Sequence, residues 1–225
     1  MLEFIKIHYF LIGYGITLVM ALIHYRKYFD TVLKYFPIII TYTLCNEFLG
    51  YQIKTNPEFT FFKEINYSSI NEIIYNIYAF VFFSYFYFIF WKLNTNPKYK
   101  KIISISATLV IISYFISCFF QNPIKTNLYY STAIGSWILV LCVVLYFSNK
   151  KMNKEKLIQP NNLMFWISIS LLIFYSIFPF LYLIGYLNFP IWKEYNLLFY
   201  LRMLIVIMYS ILNIGFFKAS IRSFG

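Results

Sequence analysis

The stretch LMFWISISLLIFYSIFPFLYLIGYL, residues 163–187, carries no charged side chain along its whole length. About 20 mostly apolar residues in a helix cross roughly 30 Å of hydrocarbon, and a helix on the surface of a soluble domain shows a charged face that this stretch lacks. Working outward, six more segments have the same character: approximately Phe4–Tyr25, Tyr35–Ile53, Ile70–Leu93, Ile102–Phe120, Tyr129–Phe147 and Leu197–Phe217. Hydrocarbon cannot satisfy backbone N–H and C=O groups, so each is expected to be a helix whatever its β-branched content. Pro37, Asn96-Pro97, Asn122-Pro123 and Pro160-Asn161-Asn162 stand where helices should begin or end.

The chain as a whole agrees. Of its 225 residues 61% are apolar and 12% charged, and the mean hydropathy is +0.67; a soluble domain carries about 25% charged residues. The expectation is an all-α, polytopic integral membrane protein: a single seven-transmembrane-helix bundle over residues 1–225. No loop is long enough for a soluble domain, no internal repeat is evident, and nothing at the N-terminus resembles a removable leader.

The net charge of +11 reads as topology, because the cations fall in short runs between apolar blocks. Thirteen lie on one side: Arg26, Lys27, Lys34, Lys92, Lys98, Lys100, Lys101, Lys150, Lys151, Lys154, Lys156, Lys218 and Arg222. Five, Lys6, Lys54, Lys63, Lys125 and Lys193, lie on the other, and Arg202 is inside a span. The positive-inside rule puts the N-terminus outside and the C-terminus in the cytoplasm. Trp91, Trp166, Tyr146 and Phe147 then mark inner ends, and Tyr129, Tyr130, Tyr186 and Trp192 outer ones.

Ionisable and amide side chains inside spans are costly and carry the functional signal. Glu47 on the second span and Arg202 on the seventh share a depth of roughly 8–9 Å below the outer interface and are placed to pair across the bundle; the alternative is an Arg202 that snorkels alone. His8, Asn46 and Asn76 lie at neighbouring depth, and Arg202, Tyr209 and Asn213 form one stripe at i, i+7 and i+11. These seven residues are the candidate ligand-binding or helix-locking cluster. A second stripe runs through Ser168, Tyr175, Pro179, Tyr182 and Tyr186, either an interhelical hydrogen-bonding seam or the wall of a cavity, and Pro179 is expected to kink its helix. Ser69 and Glu72 have the spacing of a capping box.

Catalytic chemistry finds little support. His8 and His24 lie toward opposite faces, the one aspartate, Asp30, is in a loop, and Gly135-Ser136 has no histidine to serve a nucleophile. The seventh span has no central lysine for a Schiff base. Cys45, Cys118 and Cys142 read as small buried hydrophobes. No cofactor, metal or nucleic acid is implied. The expected partners are the bilayer, anionic lipid at the basic loops around Lys98–Lys101 and Lys150–Lys156, and a membrane signalling protein.

Asn46-Glu47-Phe48-Leu49-Gly50-Tyr51, Ile74-Tyr75-Asn76-Ile77-Tyr78 and Leu163-Met164-Phe165-Trp166-Ile167-Ser168 resemble segments of uncharacterised seven-helix inner-membrane proteins of AT-rich Gram-negative bacteria. The resemblance covers nearly the whole chain and implies a sensory or accessory role at the bacterial inner membrane. From the residues alone, a sensor or receptor-like subunit leads, a transporter or channel is the alternative, and a lipid-modifying enzyme comes third.

Overall fold

The computed structural model describes residues 2–55, 67–152 and 161–219, with side chains over 9–53, 72–152 and 161–219. His8, Lys6, Lys54, Lys63, Ser69, Lys154, Lys156 and Arg222 therefore lie outside the described side chains. The elements are helices α1 (Leu2–Ile23), α2 (Phe36–Thr55), α3 (Tyr67–Leu93), α4 (Pro97–Phe120), α5 (Tyr129–Met152), α6 (Leu163–Leu187), α7 (Phe189–Glu194) and α8 (Leu197–Lys218), with a 3-10 turn at Tyr25–Lys27 and no strand among the described residues.

Five helices are long and apolar enough to cross a membrane, namely residues 72–93 of α3 together with α4, α5, α6 and α8. They mark an integral membrane protein. The described apolar part of α1, Tyr9–Ile23, is shorter, and α2 falls below the others because Thr41, Thr43, Asn46, Glu47 and Gln52 interrupt it. The short helix α7, between the sixth and seventh expected spans, was not foreseen. Asn188 starts it by accepting from the Ile191 N–H at 3.2 Å, and Trp192 packs against Gly185 at the end of α6.

Local chemistry sets the boundaries. Asn96 caps α4 by accepting from the Lys98 N–H at 2.9 Å, with Pro97 at the first helical position where its missing N–H costs nothing. Asn162 caps α6 in the same way through Met164 at 2.8 Å. Helix α3 runs from Tyr67, and the capping box expected of Ser69 and Glu72 lies outside the described side chains; the Glu72 carboxylate is hydrogen-bonded to the Asn127 side chain. Helix α6 continues through Pro179 to Leu187.

Six helices close a ring in which α1, α2, α3, α5, α6 and α8 each pack on the next and α8 returns to α1. Helix α4 stands outside, against α3 and α5. Consecutive neighbours run antiparallel, as shown by Thr43 to Tyr78 and Glu47 to Tyr75 between α2 and α3 and by Trp137 on Phe180 and Tyr129 on Tyr186 between α5 and α6. The two joints without a direct chain connection are parallel. At α1–α8, Tyr14 packs on Tyr209 and His24 on Phe216; at α3–α5, the Tyr87 hydroxyl donates to the Gly135 carbonyl at 2.7 Å.

One end of the ring is solid. Phe36, Phe86, Phe90, Tyr28 and Phe216 are buried there with Ile89, Leu163, Met164 and Ile167, and Phe36 bridges the rings of Phe86 and Phe216. The Tyr28 hydroxyl donates to the Ala21 carbonyl, and burial pushes its pKa well above the usual phenol range, so it stays a donor. Lys27 donates to the Ala219 carbonyl at 2.8 Å, tying the first connection to the end of α8. Close approach here needs Gly215, since a Cβ at that position would collide with Cβ of Trp166. Cys142 is buried as expected, whereas Cys45 and Cys118 are exposed on outward helix faces; their apolar setting is the outside of the bundle.

Candidate functional site

The other end of the ring is hollow. A cavity of about 440 Å³ is lined by α1, α2, α3, α6 and α8 and by Asn127 and Thr132 at the start of α5, with no contribution from α4. Each helix gives one face. Helix α2 gives Thr43, Glu47, Gly50 and Tyr51, α3 gives Tyr75, Tyr78, Ala79, Phe82 and Phe83, and α8 gives Leu198, Leu201, Arg202, Ile205, Met208 and Tyr209. These spacings of three, four and seven are one side of a helix. Phe10 and Tyr14 of α1 and Phe174, Tyr175, Phe178 and Tyr182 of α6 complete a wall that is largely aromatic.

The lining runs from the end of the ring that holds the start of α1, the end of α2, the α4–α5 connection and α7 to just past the middle of the helices. The floor is Thr43, Phe82, Met208 and Tyr209, which separate the cavity from a void of only about 20 Å³ beneath. Below that void lies the aromatic packing around Phe36 and Phe86. Thr43 is held twice, donating to the Ile39 carbonyl at 2.8 Å and sharing a hydrogen bond with the Tyr78 hydroxyl at 2.9 Å.

Two charged side chains, Glu47 and Arg202, line the cavity. The structure brings them into one space without joining them. Glu47 accepts from the Tyr75 hydroxyl at 3.0 Å, and the Arg202 guanidinium lies over the Phe10 ring, 5.6 Å from its centre. Among the described residues no ion pair links the two, and the expected salt bridge is replaced by these aromatic partners. Part of the reason is geometric: α2 and α8 are not neighbours in the ring, because α1 stands between them.

The other sequence candidates divide. Tyr209 lines the cavity and packs edge-on against Tyr14, with ring centres 4.4 Å apart. Asn76 does not line it. Its amide donates to the carbonyls of Pro123 at 2.9 Å and Thr126 at 3.0 Å and accepts from the Leu128 N–H at 2.8 Å, which fastens the α4–α5 connection to α3. Asn46 is buried outside the cavity lining with neither amide atom hydrogen-bonded, and Asn213 likewise has a buried Oδ1 without a partner. Of the stripe on α6, Tyr175 and Tyr182 line the cavity, while Tyr186 stacks on Tyr129 with ring centres 4.5 Å apart, a contact between rings in place of the hydrogen-bonding seam.

Sequence reasoning missed Tyr14, Thr43, Tyr51, Tyr75, Tyr78 and Asn127 as cavity residues. The face of α3 was available as a signal, since Tyr75, Tyr78, Ala79, Phe82 and Phe83 repeat at helical spacing, but in a chain this rich in aromatics such a face does not distinguish a wall from a packed seam. Among the described residues no three of His, Cys, Asp and Glu gather in a group. Comparison of the chain with protein-family models, with curated proteins and with solved structures finds no match to any of them.

Proposed function

We propose that the chain is a seven-span inner-membrane protein, N-terminus outside and C-terminus cytoplasmic, that works without catalysis as a sensor or receptor-like subunit and reads a small molecule at the outer leaflet. The observation that carries this reading is the cavity itself. At about 440 Å³ it has the size of a small-molecule site, it holds the charged pair Glu47 and Arg202 among rings, and tight packing closes it beneath. The cation count assigns its end of the bundle to the outside. Its contents would be reported through helices that form both the wall and the solid half.

The opposite end carries the partner surfaces. Lys100 lies over the Trp91 ring at 4.8 Å and Lys218 over Trp166 at 5.4 Å, so these ammonium groups rest at the level where aromatic belts meet headgroups. Together with Lys98, Lys101, Lys150 and Lys151 they suit anionic lipid and a cytoplasmic signalling partner.

Transport is the second reading, and one observation favours it. Ser168 Oγ and Asn213 Oδ1 are buried on α6 and α8 without hydrogen-bond partners, and neither lines the cavity, so polar atoms extend beyond it. Thermal-shift screening of a small-molecule library in maltoside detergent, followed by flux of each hit into proteoliposomes, decides. Stabilising ligands without flux support the sensor, flux abolished by Glu47→Ala replaces it with a transporter, and a library without a single stabiliser removes both.

A further inference from the structure

Buried charges in folded proteins are paired, because leaving one alone in a medium of low polarity is expensive. In the cavity two half-buried charges, Glu47 and Arg202, form no ion pair among the described residues. The carboxylate and the guanidinium have opposite sign and share one space, yet among the described residues the partner of each is aromatic, Tyr75 for Glu47 and Phe10 for Arg202. A ligand with one charge would pair with one of them and be repelled by the other. A neutral ligand would fill the space and leave both unanswered.

We propose that the cavity binds a small zwitterion with an apolar body, its cationic group at Glu47 and its anionic group at Arg202. The inference rests on the ligand-binding reading above and adds the chemical class. Three features support it. The filled cavity is electrically neutral. The wall near Glu47 presents the Tyr51, Tyr75 and Tyr78 rings, whose negative faces favour an ammonium group over a second anion. The guanidinium offers a planar fork of donors matched to carboxylate or phosphate oxygens. Phe82, Phe174 and Tyr175 line the same cavity and offer ring surface for the ligand's body.

The test uses the whole protein in maltoside detergent and isothermal titration with three zwitterions of different charge spacing: L-phenylalanine, 4-(aminomethyl)benzoate, and dodecylphosphocholine below its micellar concentration. Each is compared with single-charge counterparts: phenethylamine and 3-phenylpropionate, benzylamine and 4-methylbenzoate, dodecyltrimethylammonium and dodecyl methyl phosphate. The expected result is that at least one zwitterion binds tenfold or more tightly than both of its counterparts. Glu47→Gln should then abolish its advantage over the anion alone, and Arg202→Gln its advantage over the cation alone. The wild-type comparison needs no variant, so it stands even where a substitution weakens folding. If every zwitterion binds no better than its counterparts while library compounds still stabilise the protein, the inference falls and the site reading survives. If nothing binds in either experiment, both fall.

Discussion

The Tyr75 hydroxyl donates to Oε2 of Glu47 at 3.0 Å, so the one carboxylate of α2 is held by α3 and not by the cation on α8. A hydrogen bond to a charged group is worth about 1.5–3 kcal/mol in soluble proteins, and membrane measurements average nearer 0.6 kcal/mol. Tyr75→Phe should therefore lower stability by about 1 kcal/mol. Glu47→Gln, whose amide oxygen still accepts, should lower it less, and a double-mutant cycle in chemical unfolding should show coupling between the two positions. Strict additivity would mean that the bond carries no weight.

Asn76 makes three hydrogen bonds to the α4–α5 connection. Asn76→Leu leaves the buried Leu128 N–H without an acceptor and two carbonyls without donors, at a cost of about 3 kcal/mol. The expected outcomes are a clear drop in melting temperature and faster proteolysis between Gln121 and Leu128. Asn76→Asp, which keeps the acceptor and loses the donor, should fall between. A melting temperature equal to wild type would deny the fastening role.

Glycines give a controlled comparison. A Cβ at Gly215 meets Trp166 at its own Cβ, which cannot move without its backbone, so Gly215→Ala should force α6 and α8 apart at about 1–3 kcal/mol. A Cβ at Gly15 has open space, and Gly15→Ala should be neutral or stabilising by up to about 1 kcal/mol through helix propensity alone. Equal effects in thermal unfolding would contradict the packing at Trp166.

Orientation follows from the cations. In a background with Cys45, Cys118 and Cys142 replaced by serine, Lys125→Cys should react with an impermeant thiol reagent added outside intact cells. Lys151→Cys should react only after the cells are opened. Both positions are exposed. The reverse pattern would invert the bundle and put the cavity on the cytoplasmic side.

The helices themselves were legible in the sequence because an apolar run between asparagine and proline has one solution in hydrocarbon. Asn96 and Asn162 act as the caps their positions suggest, and the ends of α6 fall where the uncharged run ends. That Glu47 and Arg202 share a level along the bundle was legible too, since they line one space. What composition does not encode is the order of helices around the ring. Equal depth suggested contact between Glu47 and Arg202, but depth is one coordinate, and the interposed α1 sets the other. The same gap hid the role of Asn76, because its partners are backbone groups some fifty positions away, and a backbone carbonyl leaves no mark in a sequence.

Two joints of the ring lack a direct chain connection, and they are not equal. The α3–α5 joint is overlaid by α4 and fastened by Asn76 and Tyr87. Among the described residues no helix overlies the α1–α8 joint; beside the cavity Tyr14 meets Tyr209, Gly13 lies against the same residue and the Arg202 guanidinium lies over Phe10, while Lys27 bonds to the far end of α8. For the helices to part at that seam beside the cavity, no connecting loop has to stretch and only side-chain contacts have to give way. A gap at the seam faces the side of the bundle, so in a membrane it leads into acyl chains. An opening there would make the rate at which the cavity exchanges a ligand depend on lipid fluidity and chain length as well as on the protein.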